Sequence, residues 1–588
     1  MGIAVLSALI IILLLGYRFY VSPQIQHYIN PSWQKSTPSR RFMDGVSFFP
    51  VRPEVLTGFQ FKSIALDVII SPILAVQFGW LPAILWLLFG ALFFGWVQDY
   101  LATIISIRSR GGTFIELFDQ YFNRLSRTLI YIVILAYLLI IISQFGLLLS
   151  SLVSRVDILV PLLFSILAGL LAGYLILLNR INLVITTFIS FSVVLVGIWL
   201  STFTPIQEGI HSVNQYIFNL DRLIPIEGIL GSFNWHGIIS LFVIFTIGFL
   251  IANTPLRRFA VPFNYVSAWI VIFCFAVALI GFSFASITGS IDTNFELPVI
   301  NTDAQSTIGP IWPILFVSLS SGAVSGWHSL VSSFSTARLV EKEPHVQTIT
   351  TRAIFIETIV VALILIFAAT FGVSSGFFNA KQDYLLAAGP ANIFATGLSR
   401  SWNTLGVSES LGVSVSAFLL TLMFISVLHL VIRYASTIQS ELIGKRFFLL
   451  RKRSVSTLIV LTISLLLILF GLRESLWILF AGVNQLLASI VLLFASIWLL
   501  NQGKKIWWTI LPAIFLFLTG LVAIFYSAVY QPLLAGYSFT SNIIAQLSFA
   551  NLMSILFAFL FILACGYIFF IGVRKVKQLG VKNHGPLF

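Results

Sequence analysis

The stretch AIFIETIVVALILIFAATFGV, residues 353–373, decides the class of fold. Glu357 is its one charged side chain, and its other residues are apolar residues, threonines or a glycine. A helix needs ~17 to 25 mostly apolar residues to cross the hydrocarbon of a bilayer. The stretch has that length and is therefore predicted to be a transmembrane helix.

The same composition recurs along the chain and predicts about fifteen spans in all. The apolar runs are residues 2–20, 63–79, 81–107, 128–153, 157–178, 181–203, 236–256, 263–288, 311–334, 353–373, 411–433, 455–471, 476–500, 507–529 and 549–573. Runs 63–79 and 311–334 are the most polar, and we expect them to be broken helices. The predicted fold class is all-α: a polytopic membrane helix bundle of about 15 transmembrane helices, forming one transmembrane domain over residues 1–588.

The composition excludes a large water-soluble protein. Of the 588 residues, 59% are hydrophobic and 9% are charged, whereas globular domains carry about 25% charged residues. A soluble domain of this length would have to show water a polar surface that the chain lacks the residues to form. The lipid bilayer is therefore the first expected partner.

The net charge of +13 has two interpretations. A nucleic-acid partner is not expected, because no stretch outside the apolar runs mixes basic with aromatic residues. The positive-inside rule explains the charge instead, since Lys and Arg concentrate in alternate loops. These loops carry Arg108, Arg110, Arg124, Arg127, Arg180, Arg257, Arg258, Arg338, Lys342, Arg352, Lys445, Arg446, Arg451, Lys452, Arg453, Lys504 and Lys505. The alternation predicts a multi-pass protein of the plasma (inner) membrane with its N-terminus outside and its C-terminus in the cytoplasm.

The ends of the chain add two expectations. Gly2 to Leu15 is similar to a signal-peptide core, but it lacks a basic start and a small-residue cleavage site, so it is predicted to be a retained first span. Residues 21–62 form the predicted first cytoplasmic loop, which contains five prolines and should be irregular and pack under the bundle. Residues 574–588 form the predicted cytoplasmic tail.

No cofactor or enzymatic centre is predicted. The chain has no nucleotide-binding glycine loop and no haem-attachment motif, and no nucleophile, base and orienting group fall together. Cys274 and Cys565 each lie inside an apolar run, which argues against a disulfide framework or a thiolate site. His429, Glu357 and Asp67 could be combined into a metal site, but their spacing does not support one.

Four ionisable residues inside predicted spans stand out: Asp67, Asp99, His328 and Glu357. Each costs at least ~2.5 to 3.5 kcal/mol in the bilayer, so each needs a partner or a function. A dehydrated Glu357 could bind and release a proton near neutral pH, or it could be a locally paired glutamate. His328 could relay a proton or be satisfied by a backbone carbonyl, and Asp99 could serve coupling or hold two helices together. Asp67 could be an ion site or a polar residue lining a cavity.

The motif Gly322-x-x-x-Gly326 allows two backbones to approach closely. Its serines, including Ser321 and Ser325, can satisfy carbonyl groups that an unwound helix leaves free. We interpret the motif either as a discontinuous helix at a substrate site or as a packing seam of small residues.

Asn484 and Gln485 lie in the middle of another predicted span. Amide side chains at that depth either contact a substrate or act as polar links between helices. Both interpretations stay open from the sequence.

Three groups of motifs resemble the carbon-starvation protein A family of bacterial and archaeal membrane transporters. The first group is Tyr17-Arg18-Phe19-Tyr20 followed by Leu81-Pro82, Trp86-Leu87 and Val97-Gln98-Asp99. The second is Ser321-Gly322-Ala323-Val324-Ser325-Gly326-Trp327-His328, with Glu357 in the next span. The third is Leu479-Phe480-Ala481-Gly482-Val483-Asn484-Gln485-Leu486-Leu487-Ala488. The resemblance implies an inverted-repeat core related to the amino acid–polyamine–cation fold.

Two departures from the family pattern accompany this resemblance. Gly58-Phe59-Gln60-Phe61 stands where the family usually has a histidine pair. His429-Leu430-Val431-Ile432-Arg433 stands where it has an Asp-x-Gly-Thr-Arg run, and keeps only the arginine.

The resemblance implies a secondary active transporter of a small organic solute, such as a short peptide or pyruvate, driven by protons or sodium and linked to carbon starvation. Asp67, Asp99, His328 and Glu357 would then serve coupling. The substrate site would be formed by Ser321, Gly322, Ser325, Gly326, Asn484 and Gln485. The alternative is a transport-incompetent member that acts as a membrane scaffold or as a subunit of a larger complex. A protein partner or a homo-oligomer is compatible with either function.

Overall fold

The computed structural model describes residues 1–61, 64–178, 181–223, 235–301, 309–319, 324–372, 389–444, 447–470, 473–531 and 549–584. Over these ranges the regular structure is helical, apart from one isolated β-bridge between Val51 and Val340. The first helices are α1 Gly2–Gly16, α2 Ser22–Tyr28, α3 Pro38–Arg41, α4 Pro53–Gln60, α5 Ile64–Phe78, α6 Trp80–Gly90, α7 Trp96–Arg108, α8 Phe114–Phe118, α9 Arg124–Val153, α10 Val156–Ala172, α11 Leu183–Leu200, α12 Thr204–Leu223, α13 Trp235–Asn253 and α14 Val261–Thr288.

The second half of the chain continues in the same way. Its helices are α15 Ile311–Ser318, α16 Gly326–Val331, α17 Ala337–Leu339, α18 His345–Phe371, α19 Gly389–Asn403, α20 Glu409–Ile443, α21 Arg453–Leu469, α22 Arg473–Leu500, α23 Trp507–Phe525 and α24 Phe549–His584. Single π-helical turns continue several of these helices without interrupting them, at Tyr17–Val21, Ala91–Gly95, Gly173–Leu178, Leu256–Ala260, Ser332–Thr336 and Tyr526–Tyr530.

The helices have the lengths that a membrane requires. Within the described ranges, 12 helices are long and apolar enough to cross a bilayer, and 13 if α4 and α5 count together as one bent span. They coincide with the predicted runs apart from two: 311–334, which is broken, and 455–471, where α21 is shorter. The class of multi-span helical membrane protein is therefore confirmed, while the number of fifteen spans stays a prediction.

One of the two runs expected to be broken contains an interruption. Helix α15 ends at Ser318, and α16 begins at Gly326 after Ser325, whose backbone is extended. The other run, 63–79, forms the continuous helix α5, which contains Pro72. The bend of 50° between α4 and α5 lies before that run, so the expectation of a break within 63–79 is wrong.

The centre of the bundle is formed by α18, α20 and α22. The apolar windows of these helices are 89%, 89% and 100% buried, whereas those of α1 and α11 are only 22% buried and line the periphery. Helix α18 packs against α4, α5 and α7, while α16 packs against both α7 and α22. These contacts bring α7, α16 and α18 together in the interior, where each contributes one ionisable side chain.

The predicted cytoplasmic loop 21–62 is not irregular throughout, because it contains α2, α3 and α4. The hydroxyl of Ser39 donates to the carbonyl of Val340 at 2.7 Å, and that of Thr37 donates to the carbonyl of Glu341 at 2.9 Å. Apolar residues of α4 are fully buried, and this helix carries Gln60 into the interior of the bundle. The end of the predicted loop is thus part of the core.

Helices α12 and α19 have no counterpart in the hydropathy pattern. Their sequences, TPIQEGIHSVNQYIFNLDRL and GPANIFATGLSRSWN, contain too many polar residues to read as spans. The polar residues of α12 alternate with apolar ones at helical spacing, which is typical of a helix that lies along a surface.

Candidate functional site

His328 stands two residues after the start of α16, directly after the helix interruption. Its Nδ1 atom lies 2.7 Å from Oδ2 of Asp99 on α7, and its Nε2 atom lies 3.2 Å from Oε2 of Glu357 on α18. The second contact has ion-pair distance but falls short of hydrogen-bond alignment. All three side chains are at most 2% exposed. We call Asp99, His328 and Glu357 the trio.

The trio has a defined proton requirement. A neutral imidazole donates from one nitrogen and accepts at the other, and only the doubly protonated ring donates from both. A carboxyl oxygen faces each ring nitrogen of His328. A neutral ring between two carboxylates would leave one nitrogen lone pair facing a negative oxygen. One additional proton gives both contacts a donor and an acceptor. That proton resides either on the ring or on one of the two acids.

Gln60 supports the trio from α4. Its Nε2 donates to Oδ2 of Asp99 at 3.2 Å and to the hydroxyl of Ser332 at 3.1 Å. The hydroxyl of Thr336 donates to Gln60 Oε1 at 2.8 Å, which fixes the amide orientation. Sequence reasoning noted Gln60 only as a departure from a family motif and missed its contact with Asp99. The available signal was an amide side chain between two phenylalanines, Phe59 and Phe61.

Gln98 precedes Asp99 on α7 and connects the same helix to the interruption. Its Nε2 donates to the backbone carbonyl of Ser325 and, at 2.6 Å, to the hydroxyl of Ser329. The Ser325 carbonyl belongs to the unwound segment, so Gln98 supplies one of the donors that the missing helical bond would have provided.

Asn484 on α22 receives donors from two sides. The Tyr137 hydroxyl donates to Asn484 Oδ1 at 2.7 Å, while the hydroxyl of Ser325 and the backbone N–H of Trp327 donate to the same oxygen at 3.3 and 3.2 Å. This geometry places Asn484 and Ser325 in direct contact. The amide links α9, α22 and the start of α16.

Gly326 and Gln485 also lie at the contact between α16 and α22. A Cβ atom on Gly326 would lie 2.5 Å from the backbone oxygen of Asn484, so the two helices approach as closely as glycine allows. Gln485 is fully buried, and neither of its amide atoms has a hydrogen-bond partner among the residues that the structure describes. Of the other residues predicted to bind substrate, Ser321 and Gly322 lie outside the described residues.

A small cavity borders this contact. It is lined by Leu66, Tyr137, Ile141, Phe145, Ser325, Trp327, Val427, Phe480 and Asn484. Its free volume of about 20 Å³ is enough for a water molecule, whose partners would be the polar groups of Ser325, Tyr137 and Asn484. The cavity is much too small for an organic solute, so the structure holds it in a closed form.

Asp67 and His429 lie on helices other than those that carry the trio. Asp67 is fully buried on α5, a helix that packs against α18. His429 on α20 has its Nε2 atom 3.4 Å from Oδ1 of Asn264, and its ring packs against Phe259 and Phe263. Over the described part of the chain, no group of three or more His, Cys, Asp or Glu side chains is arranged to hold a metal ion.

The fold and the trio together define a multi-span helical membrane protein in which a buried histidine lies between two carboxyl groups at an interrupted helix. The chain belongs to the family described as carbon starvation protein CstA, whose family model matches residues 1–383 and 377–523.

Several named relatives are similar over part of their length. The peptide transporter CstA of Campylobacter jejuni is 26% identical over 382 residues, which cover 62% of this chain and 50% of that protein. The peptide transporter CstA of Escherichia coli is 23% identical over 408 residues, which cover 67% of this chain and 54% of that protein. The pyruvate/proton symporter BtsT of E. coli is 25% identical over 385 residues, which cover 62% of this chain and 48% of that protein. The chain thus matches about half the length of these relatives.

Solved structures of similar shape include a manganese transporter of Eremococcus coleocola in complex with an aromatic bis-isothiourea compound. It is 14% identical, with a TM-score of 0.43, and the match covers 91% of this chain and 99% of that one.

Proposed function

We propose that this protein is a proton-coupled secondary transporter of a small organic solute, either a short peptide or pyruvate. The observation that carries the proposal is the position of His328 between two buried carboxyl groups, next to an interrupted helix. Ionisable groups at membrane depth typically mark ion pathways and proton relays. Interrupted helices typically form the substrate and ion sites of secondary transporters.

In the proposed cycle the trio gains and loses one proton. When Glu357 or Asp99 loses the shared proton, one ring nitrogen of His328 faces a carboxylate oxygen without a proton between them. This contact is repulsive unless the His328 ring rotates. Because His328 is on α16 and Glu357 on α18, that change alters the contact between the two helices. A proton step can thereby favour opening of the cavity beside Ser325 and Asn484.

The proposed substrate site includes Ser325, Gly326, Asn484 and Gln485, together with Ser321 and Gly322. The Ser325 hydroxyl and the Asn484 amide lie at the contact between α16 and α22, where polar groups can hydrogen-bond a peptide or a carboxylate. The names of the relatives, peptide transporter and pyruvate/proton symporter, support these two solutes. Asp67 would contribute to ion coupling from α5.

The proposed orientation has the N-terminus outside the plasma membrane and the C-terminus in the cytoplasm. The support is the alternation of basic loops along the sequence. In a variant lacking Cys274 and Cys565, a single cysteine inserted directly after Met1, or one that replaces the exposed Lys577, can be labelled in intact cells with a membrane-impermeant maleimide. Labelling at the N-terminus and protection at position 577 is expected, and the reverse pattern would invert the orientation.

Uptake into proteoliposomes tests the transport function. Labelled pyruvate and a labelled dipeptide are supplied separately under an imposed inward proton gradient. The wild type is expected to accumulate one of them, and Glu357→Gln is expected to reduce accumulation to the level of empty liposomes. Glu409→Gln is the matched control, because Glu409 is an exposed glutamate at the start of α20. Flux of the wild type equal to that of empty liposomes for both solutes would instead favour the scaffold.

A further inference from the structure

Arg433 and Arg453 meet at one end of the bundle. An Arg433 Nη atom donates to the carbonyl of Thr254, and an Arg453 Nη atom donates to the carbonyl of Ala252 at 2.6 Å. Both carbonyls belong to the last turn of α13 and the residue following it. Two guanidinium groups on different helices, α20 and α21, are therefore held at a single helix terminus.

The two arginines have no matching negative charge. Arg433 is 6% exposed, and the Nε atoms of both residues are buried without a hydrogen-bond partner in the described part of the chain. Neither guanidinium lies within ion-pair distance of a carboxylate among the described residues. The partial negative charge of one helix C-terminus, about half an elementary charge, does not balance two cations.

The surrounding helices cannot supply the missing charge. Helices α9, α13, α20 and α21 pack against one another, and the only acids in their sequences are Glu409 and Glu441. Glu409 stands at the opposite end of α20, and Glu441 accepts the hydroxyl of Tyr131 at 3.0 Å. The adjoining segment Arg451-Lys452 adds further positive charge.

The surface beside this pair is apolar. Phe447, Phe448 and Leu449 are 54%, 71% and 62% exposed and stand two to four residues before Arg451. Exposed aromatic and aliphatic side chains next to basic residues at a helix end are typical of the boundary between hydrocarbon and lipid headgroups. A ligand that approaches Arg433 and Arg453 along this surface would therefore carry an acyl chain as well as a charge.

We propose that Arg433 and Arg453 bind the phosphodiester headgroup of an anionic phospholipid between α13, α20 and α21. A phosphate group offers several acceptor oxygens, which match the unused N–H donors of two guanidinium groups. Basic pockets between transmembrane helices bind acidic headgroups in the same way. The acyl chains would lie over Phe447 to Leu449. This proposal is independent of the transport function.

Native mass spectrometry of the purified protein, with added phosphatidylglycerol or phosphatidylcholine, tests the site. The wild type is expected to retain phosphatidylglycerol preferentially, and Arg453→Gln should lower its affinity about five-fold. Arg451→Gln removes the same charge from the same surface without touching α13, so it should change the affinity less than two-fold. Equal retention of the two lipids by the wild type, or equal loss in both variants, would contradict the proposal.

Two further measurements distinguish a loss of binding from a loss of folding, and a bound lipid from free phosphate. Arg433→Lys keeps the charge but loses the planar fork, so it should fold and still lower phosphatidylglycerol affinity more than Arg451→Gln does. Millimolar inorganic phosphate should compete only weakly with the lipid. Complete displacement of phosphatidylglycerol by inorganic phosphate would assign the site to free phosphate and overturn the lipid proposal.

Discussion

Arg108 and Glu343 form a two-pronged ion pair at the end of α7. Arg108 Nε lies 3.2 Å from Oε1 of Glu343, and an Nη atom lies 3.0 Å from Oε2. Glu343 is 3% exposed and also accepts the backbone N–H of Ser32. The pair joins the helix that carries Asp99 to the turn before α18, which carries Glu357.

Removal of one partner of this pair should destabilise the protein. Arg108→Gln leaves a buried Glu343 carboxylate without its cation, which is expected to cost about 2–4 kcal/mol of unfolding free energy. Arg40→Gln breaks the exposed pair of Arg40 with Glu341 and should cost less than about 1 kcal/mol. Thermal unfolding of both variants in detergent measures the difference. Equal melting temperatures would mean that the Arg108 pair is not a significant structural contact.

Gln60 should contribute to uptake through its contact with Asp99. The Gln60 amide donates to Asp99 Oδ2, and a hydrogen bond to a charged group is worth about 1.5–3 kcal/mol. Gln60→Met removes this donor, so uptake under an imposed proton gradient should fall about ten-fold or more. Gln26→Met is the matched control, because Gln26 is an exposed glutamine of α2. Uptake by Gln60→Met equal to that of the wild type would remove Gln60 from the proton step.

Asn484 and Gln485 should respond oppositely to the same substitution. Gln485→Leu removes a buried amide that has no partner among the described residues, and should raise stability by about 1–3 kcal/mol. Asn484→Leu leaves the Tyr137, Ser325 and Trp327 donors without their acceptor and should lower stability. Unfolding temperatures and uptake rates are measured together. Loss of uptake in a stabilised Gln485→Leu protein would identify a substrate contact, and full uptake would exclude one.

Gly326 should tolerate no side chain. The added methyl of Gly326→Ala would lie 2.5 Å from the Asn484 carbonyl and 2.6 Å from Leu487 Cβ, so α16 must move away from α22. A cost of about 1–3 kcal/mol and a loss of uptake are expected. Gly566→Ala on α24 meets no atom within 4 Å and should be neutral or slightly stabilising. A wild-type melting temperature for Gly326→Ala would show that the contact can adapt.

The sequence could predict the spans because their signal is local. An apolar run such as 128–153 reports its preference for hydrocarbon without knowledge of its neighbours, and α9 covers Arg124–Val153. Gly326 and the surrounding serines likewise indicated an interruption near the start of α16. The hydropathy pattern did not reveal α12, because its polar and apolar residues alternate at helical spacing. It did not reveal α19 either, because that helix is polar in composition, although it packs against α14, α18 and α20.

The contacts within the site could not be predicted in the same way. Asp99 and His328 are 229 positions apart, and Gln60 and Ser332 are 272 apart, so no local pattern pairs them. Sequence reasoning singled out Asp99, His328 and Glu357 one at a time, each with an alternative role. It gave Gln60 no role, because that residue fell in the predicted cytoplasmic loop 21–62 and not in a predicted span.

The sequence by itself determined that lipid surrounds most of this chain and that a few ionisable residues must lie within it, because hydrophobic burial depends on composition and length. Only the tertiary structure decided which of those residues meet. Helices α7, α16 and α18 pack at distances set by their side chains, and that packing brings one imidazole between two carboxyl groups while leaving Asp67 and His429 on other helices.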